Sequence, residues 1–81
     1  MISVAIESLS PLEAAIGRQS VEHYEAALER LPPAVRSAVV ARVELGLSYP
    51  EIAHVLDKPT PDAARMAVAR ALIKLAEEME Q

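Results

Sequence analysis

Leu12, Ile16, Tyr24, Leu28 and Leu31 recur mostly at helical spacing, with polar residues filling most positions between them. Ser10-Pro11-Leu12-Glu13 heads that run. A capping Ser, a Pro at the first helical position and a Glu at the third together satisfy the free amides of a helix start. The pattern predicts a helix over residues 11–30, broken or bent at Gly17 or Ser20, its two weak points. Pro32-Pro33 closes the segment, because the residue before a proline is pushed out of the helical region, and Pro33 can open the next helix. That helix carries Val35, Val39, Val40, Val43 and Leu45 and is expected over 33–45. It stops at Gly46, the residue that most easily takes the left-handed C-cap conformation.

Ser48-Tyr49-Pro50-Glu51 repeats the Ser-x-x-Glu capping box and predicts a short helix over 49–56, with Ile52, Ala53, Val55 and Leu56 turned inward. Asp57-Lys58-Pro59 breaks it. Thr60 is the next N-cap, Pro61 the first helical residue, and Asp62 sits where a carboxylate suits the positive end of the helix dipole, so a last helix is expected over 61–78. The expected fold is all-α, a small helical domain of about four helices closing in a helix-turn-helix. Residues 1–10 read as a flexible N-terminus and 11–81 as a single helical domain, with 11–30 linker-like and 31–81 holding the helix-turn-helix. The expected core is Leu28, Leu31, Val39, Val40, Val43, Leu47, Ile52, Ala53, Leu56, Val68, Leu72 and Leu75.

At about 100° per residue, the last helix gathers Ala64, Val68, Ala71, Leu72, Leu75 and Met79 on one side. Asp62, Met66, Ala69, Arg70 and Ile73 lie opposite, with Arg65 and Lys74 on the flanks.

Composition narrows the functions this framework can serve. The chain has 81 residues, 52% of them apolar, yet only two Tyr and no Phe or Trp, which allows one aliphatic core and no large active-site cleft. With no Cys, disulfides and thiolate metal sites are excluded. Nothing resembles a signal peptide or a membrane-length apolar run, so a cytoplasmic setting without membrane contact is expected. A formal charge of −4 argues against a broad basic surface that grips any nucleic acid. Between Lys58 and Lys74, however, Lys58, Arg65, Arg70 and Lys74 stand against Asp62 alone, a local balance of +3.

Other chemistry is thin. His23 and His54 are isolated from each other and from acids at ligand spacing, so no metal site is expected. Two glycines cannot build a Gly-rich phosphate loop, and no Ser, His and Asp sit in a strand-turn-helix context. Neither catalytic residues nor cofactors are expected, and the chain does not read as an enzyme.

The stretch "ALERLPPAVRSAVVARVELGLSYPEIAHVLDKPTPDAARMAVARALIKL", Ala27 to Leu75, resembles region four of bacterial sigma factors, especially the extracytoplasmic-function type. The resemblance is carried by Leu31-Pro32 with Arg36 downstream, by Gly46-Leu47-Ser48-Tyr49 with Glu51-Ile52-Ala53, and by Arg70-Ala71 with Leu75. Leu31-Pro32 and Arg36 favour sigma factors over LuxR-type regulators, which share only the later part. Residues 10–28 also look like the linker preceding region four. No counterpart of region two is found, so the chain reads as an isolated fourth region.

The resemblance implies a role in transcription initiation. The helix over 49–56 would support the last helix, which would read the minus-35 element of double-stranded promoter DNA. Ala63, Ala64, Arg65, Met66 and Ala67 fall where the family usually has Thr-Val-Lys-Ser-Arg, and only the basic character at Arg65 is kept. The DNA-contacting set is expected to be Lys58, Thr60, Ala63, Arg65, Met66, Ala69, Arg70 and Lys74. The partners implied are promoter DNA and the flap region of RNA polymerase, with an anti-sigma factor and self-association as further candidates. The exposed Met66 and Ile73 keep a second reading open, in which the helix-turn-helix core serves a protein-interaction module that binds polymerase, an anti-sigma factor or itself. Arg70 could alternatively pair along its own helix with Glu77 or Glu78.

Overall fold

The computed structural model describes residues 11–80, and their side chains except those of residues 11–17 and 19. The expectations for residues 1–10, for the Ser10 cap and for the Leu12 and Ile16 side chains lie outside the described residues. Within them are four α-helices and no strand: α1 (Pro11–Arg30), α2 (Pro33–Val39), α3 (Tyr49–Val55) and α4 (Pro61–Met79). A π-helical segment, Val40–Glu44, continues α2.

α4 is the hub, packing against α1, α2 and α3 in turn. From α4 the core takes Ala64, Val68, Ala71 and Leu75; the other helices bring Ala27, Ala38, Val39, Ile52 and Ala53, the bend after α1 Leu31, and the π-segment Ala41. Leu28, Val35, Leu47, Tyr49, Leu56 and Met79 are half-buried against it. With six alanines among these eleven buried apolar residues, the helices meet at small side chains.

Five expectations are corrected. α1 runs through Gly17 and Ser20 without a break. One helical glycine costs only about 1 kcal/mol and removes no hydrogen bond, so the ladder on either side carries the chain through it. The helix expected over 33–45 turns from α to π at Val40, where Leu45 N–H reaches back to the Val40 carbonyl at 3.0 Å and Leu47 N–H to that of Ala41 at 3.0 Å. A π-turn holds more residues than an α-turn, so a phase carried forward from Val39 fails. Val43, expected inside, is accordingly 52% exposed. Leu72 is also outside, 38% exposed, because its neighbour Ala71 takes the inward position on α4 and Leu72 falls at the edge of the buried stripe. Val55, expected to turn inward, is 57% exposed, because Ile52 and Ala53 take the buried side of α3 and Val55 stands about 160° around the helix from Ala53.

Two arginines join the helices. Arg36 caps the end of α1, donating from Nε to the Leu28 carbonyl at 3.0 Å and from Nη2 to those of Glu29 at 3.3 Å and Leu31 at 3.1 Å. Carbonyls at a helix end lack partners from a following turn, although that of Leu28 also accepts from the Leu31 amide at 3.1 Å, and a cation there meets the negative end of the dipole. Arg30 crosses to the end of α4, with Nε on Glu78 Oε1 at 2.9 Å and Nη2 on the Glu78 carbonyl at 2.7 Å. It offsets a carboxylate placed where the α4 dipole disfavours it. The Tyr24 hydroxyl donates to Glu44 Oε2 at 2.8 Å, and partial burial, together with that carboxylate, pushes its pKa up to about 12.

Arg36→Met keeps the aliphatic stem and removes three charge-assisted bonds. It is expected to cost about 1–2 kcal/mol, lowering the melting temperature by several degrees in a circular-dichroism melt. An unchanged midpoint would mean that water caps α1 equally well.

Candidate nucleic-acid interface

The loop into α3 is held at both ends. Gly46 turns the chain at φ +64°, the left-handed geometry glycine adopts freely. Arg42 then braces the loop, with its guanidinium 4.5 Å from the centroid of the Tyr49 ring and Nη1 donating to the Leu47 carbonyl at 2.9 Å. Ser48 and Glu51 form the reciprocal capping box. Ser48 Oγ accepts from the Glu51 amide at 3.3 Å, and Glu51 Oε1 accepts from the Ser48 amide at 2.8 Å. Those bonds hold the Glu51 carboxyl below its ordinary pKa.

α3 ends in a Schellman turn. Asp57 takes φ +56°, its amide reaching the His54 carbonyl at 3.3 Å while the Lys58 amide reaches that of Ala53 at 2.7 Å. Asp is among the few non-glycine residues that tolerate this region. Pro59 leads on to Thr60, whose Oγ1 accepts from the Ala63 amide at 3.0 Å and so fixes the first turn of α4. Short helix, tight turn and long helix together form a helix-turn-helix.

α4 then divides the expected contact residues. Thr60 is exposed and committed to its cap, while Ala63 is half-buried beneath it. Met66, Ala69 and Arg70 are exposed on the side away from the core. Arg65 is also exposed, but its Nε and Nη2 both donate to Asp62 Oδ1, at 3.1 and 2.9 Å. This pairing was readable from the i, i+3 spacing of Asp62 and Arg65.

Lys58, Arg70 and Lys74 come together. They line a groove of about 380 Å³ floored by Ala34, Val35, Ala38, Leu56, Ala67 and Ala71, between α2 and α4. None of the three cations has an acidic partner within salt-bridge distance among the described residues. Glu78, one acid considered for Arg70, is held by Arg30 instead. Arg65 lies about 140° around α4 from Arg70 and does not join the groove. The α2 side of the groove was not anticipated, because a helical wheel of α4 carries no information about which helix lies beside it.

A second, shallower surface lies on the other side of α2, lined by Val40, Leu45, Leu47 and Val55 with Arg36 and Ser37. Leu45 is 64% and Val55 57% exposed there. Among the described residues no group of His, Asp and Glu is arranged to hold a metal ion, and no helix is long and apolar enough to cross a membrane.

A family model described as "Sigma-70, region 4" matches residues 22–75, two thirds of the chain. No curated protein and no solved structure matches the chain.

Proposed function

Because the chain belongs to the sigma-70 region 4 family, and is thus a DNA-binding domain of a sigma factor, we propose that it recognises the minus-35 promoter element through α4 while contacting RNA polymerase. The observation that carries this reading is the trio Lys58, Arg70 and Lys74, without an acidic partner among the described residues and gathered at one side of the helix-turn-helix of an otherwise acidic chain. Phosphates fit such a trio, because neutralising them releases counterions and provides affinity without reading sequence. Thr60, Ala63, Met66 and Ala69 would lie along the base edges. Arg65, already paired with Asp62, would contribute less than its charge suggests.

The proposed type is the extracytoplasmic-function class, acting with polymerase in the cytoplasm. Residues 11–81 act as one unit in this reading, with the start of α1 as a linker. The polymerase flap would meet the apolar surface around Leu45 and Val55, which can be covered while α4 engages DNA. That same exposed surface favours the second reading, a protein-interaction module whose partner is polymerase, an anti-sigma factor or another copy of the chain.

Three phosphate contacts imply a salt slope of about −2.7, so affinity for duplex DNA should fall roughly 40-fold between about 50 and 200 mM salt. Adding a polymerase flap fragment should raise apparent affinity by tethering the domain near its site. Fluorescence anisotropy with random duplexes checks both. A salt-independent signal, or none at low salt, would favour the protein-interaction reading.

A further inference from the structure

Met66, Ala69, Arg70 and Ile73 follow one another at i, i+3, i+4 and i+7 along the outer side of α4, and all four are exposed. Met66 is 47% and Ile73 62% open to solvent. Three of the four can neither donate a hydrogen bond nor offer more than a weak sulfur acceptor. The other long donor near the start of α4, Arg65, is engaged by Asp62. Met66, Ala69 and Ile73 cannot therefore read the donor and acceptor pattern by which adenine, guanine and cytosine are told apart, and Arg70 is the one long donor left in the stripe. Thymine differs from those bases in presenting a C5-methyl group in the major groove, and apolar side chains are the groups that contact it favourably.

We propose that the outer stripe of α4 selects thymine through its C5-methyl group, with Met66 and Ala69 against the methyls and Arg70 tying the helix to a neighbouring phosphate. This inference rests on the promoter-binding reading and names the base chemistry that reading leaves open. Ala69 lets the base edge approach the backbone closely. Met66, flexible and polarisable, adapts its thioether to a methyl on either strand. Ile73, further along the helix, extends the apolar contact.

Replacing thymidine by deoxyuridine removes that methyl and leaves base pairing intact, which makes the test direct. The tightest-binding sequence is selected from randomised duplexes with the full chain at low salt, then made in two forms, with dT and with dU. The dT duplex should bind about fourfold more tightly for each methyl in contact, the increment expected for one buried carbon. Met66→Ala, checked to melt like the parent, should narrow the ratio of the two affinities. Equal affinity for both duplexes, with binding intact, would overturn the methyl assignment alone and return the stripe to a protein contact. No binding to either duplex would overturn it together with the promoter reading.

Discussion

The Ile52→Asp variant is expected to be unfolded at room temperature, giving a random-coil far-UV circular-dichroism spectrum and no cooperative melt. Ile52 has no solvent exposure and lies with Ala53 at the centre of the cluster that joins α3 to the other helices. No cationic side chain is buried in that cluster, so the new carboxylate would be unpaired. Burying an unpaired charge costs more than about 4 kcal/mol, comparable with the whole stability of a small domain. Ile52→Val removes one methylene from the same place and should cost only about 0.5–1.5 kcal/mol. An Asp variant melting within a few degrees of the parent would place Ile52 at the surface.

Arg70→Ala should have the largest effect on DNA binding among changes that leave the fold intact. Arg70 is exposed, has no acidic partner among the described residues, and sits between the groove and the outer stripe of α4. Losing a base contact there should weaken binding by about 1–3 kcal/mol, a phosphate contact by less, and the latter should flatten the salt slope by about one unit. Arg65→Ala should cost less, since much of that guanidinium already serves Asp62. Replacing Glu80, beyond the end of α4, should change affinity only through long-range charge. If both arginine variants bind random duplex as the parent does, α4 is not the DNA-reading element.

Boundaries were readable because they rest on local chemistry. Ser48 with Glu51, Thr60 with Pro61, and Pro32-Pro33 each act within a few residues, and each marks a helix start in the structure. Ile52, Val39, Val68 and Leu75 were legible as core for a similar reason, being strongly apolar at regular helical phase. Ala27, Ala38, Ala41, Ala64 and Ala71 are buried too, yet only Ala64 and Ala71 were given an inward position by helical phase. Alanine sits as readily on a surface as in a core, so its burial depends on which helix passes nearby, and that is tertiary information. Val43 was misjudged because nothing in Val40 to Glu44 announces a π-turn. On α4, helical phase was enough to place Arg65, Met66, Ala69, Arg70 and Lys74 outside the core. Their separation into a groove trio and an Asp62-bound Arg65 required the path of α2 and the orientation of one guanidinium.

The two sides of α4 answer to different demands. Inward, Ala64, Val68, Ala71 and Leu75 meet three other helices, and almost any enlargement there would push those helices apart. Outward, Met66, Ala69, Arg70 and Ile73 carry no part of the buried core. Exchanging them changes what the helix meets without reopening how the domain folds. If that outer side reads DNA, as proposed, a lineage carrying this domain could thus drift from one target sequence to another in single steps, each intermediate still folded, so that regulatory rewiring is decoupled from the risk of losing the protein.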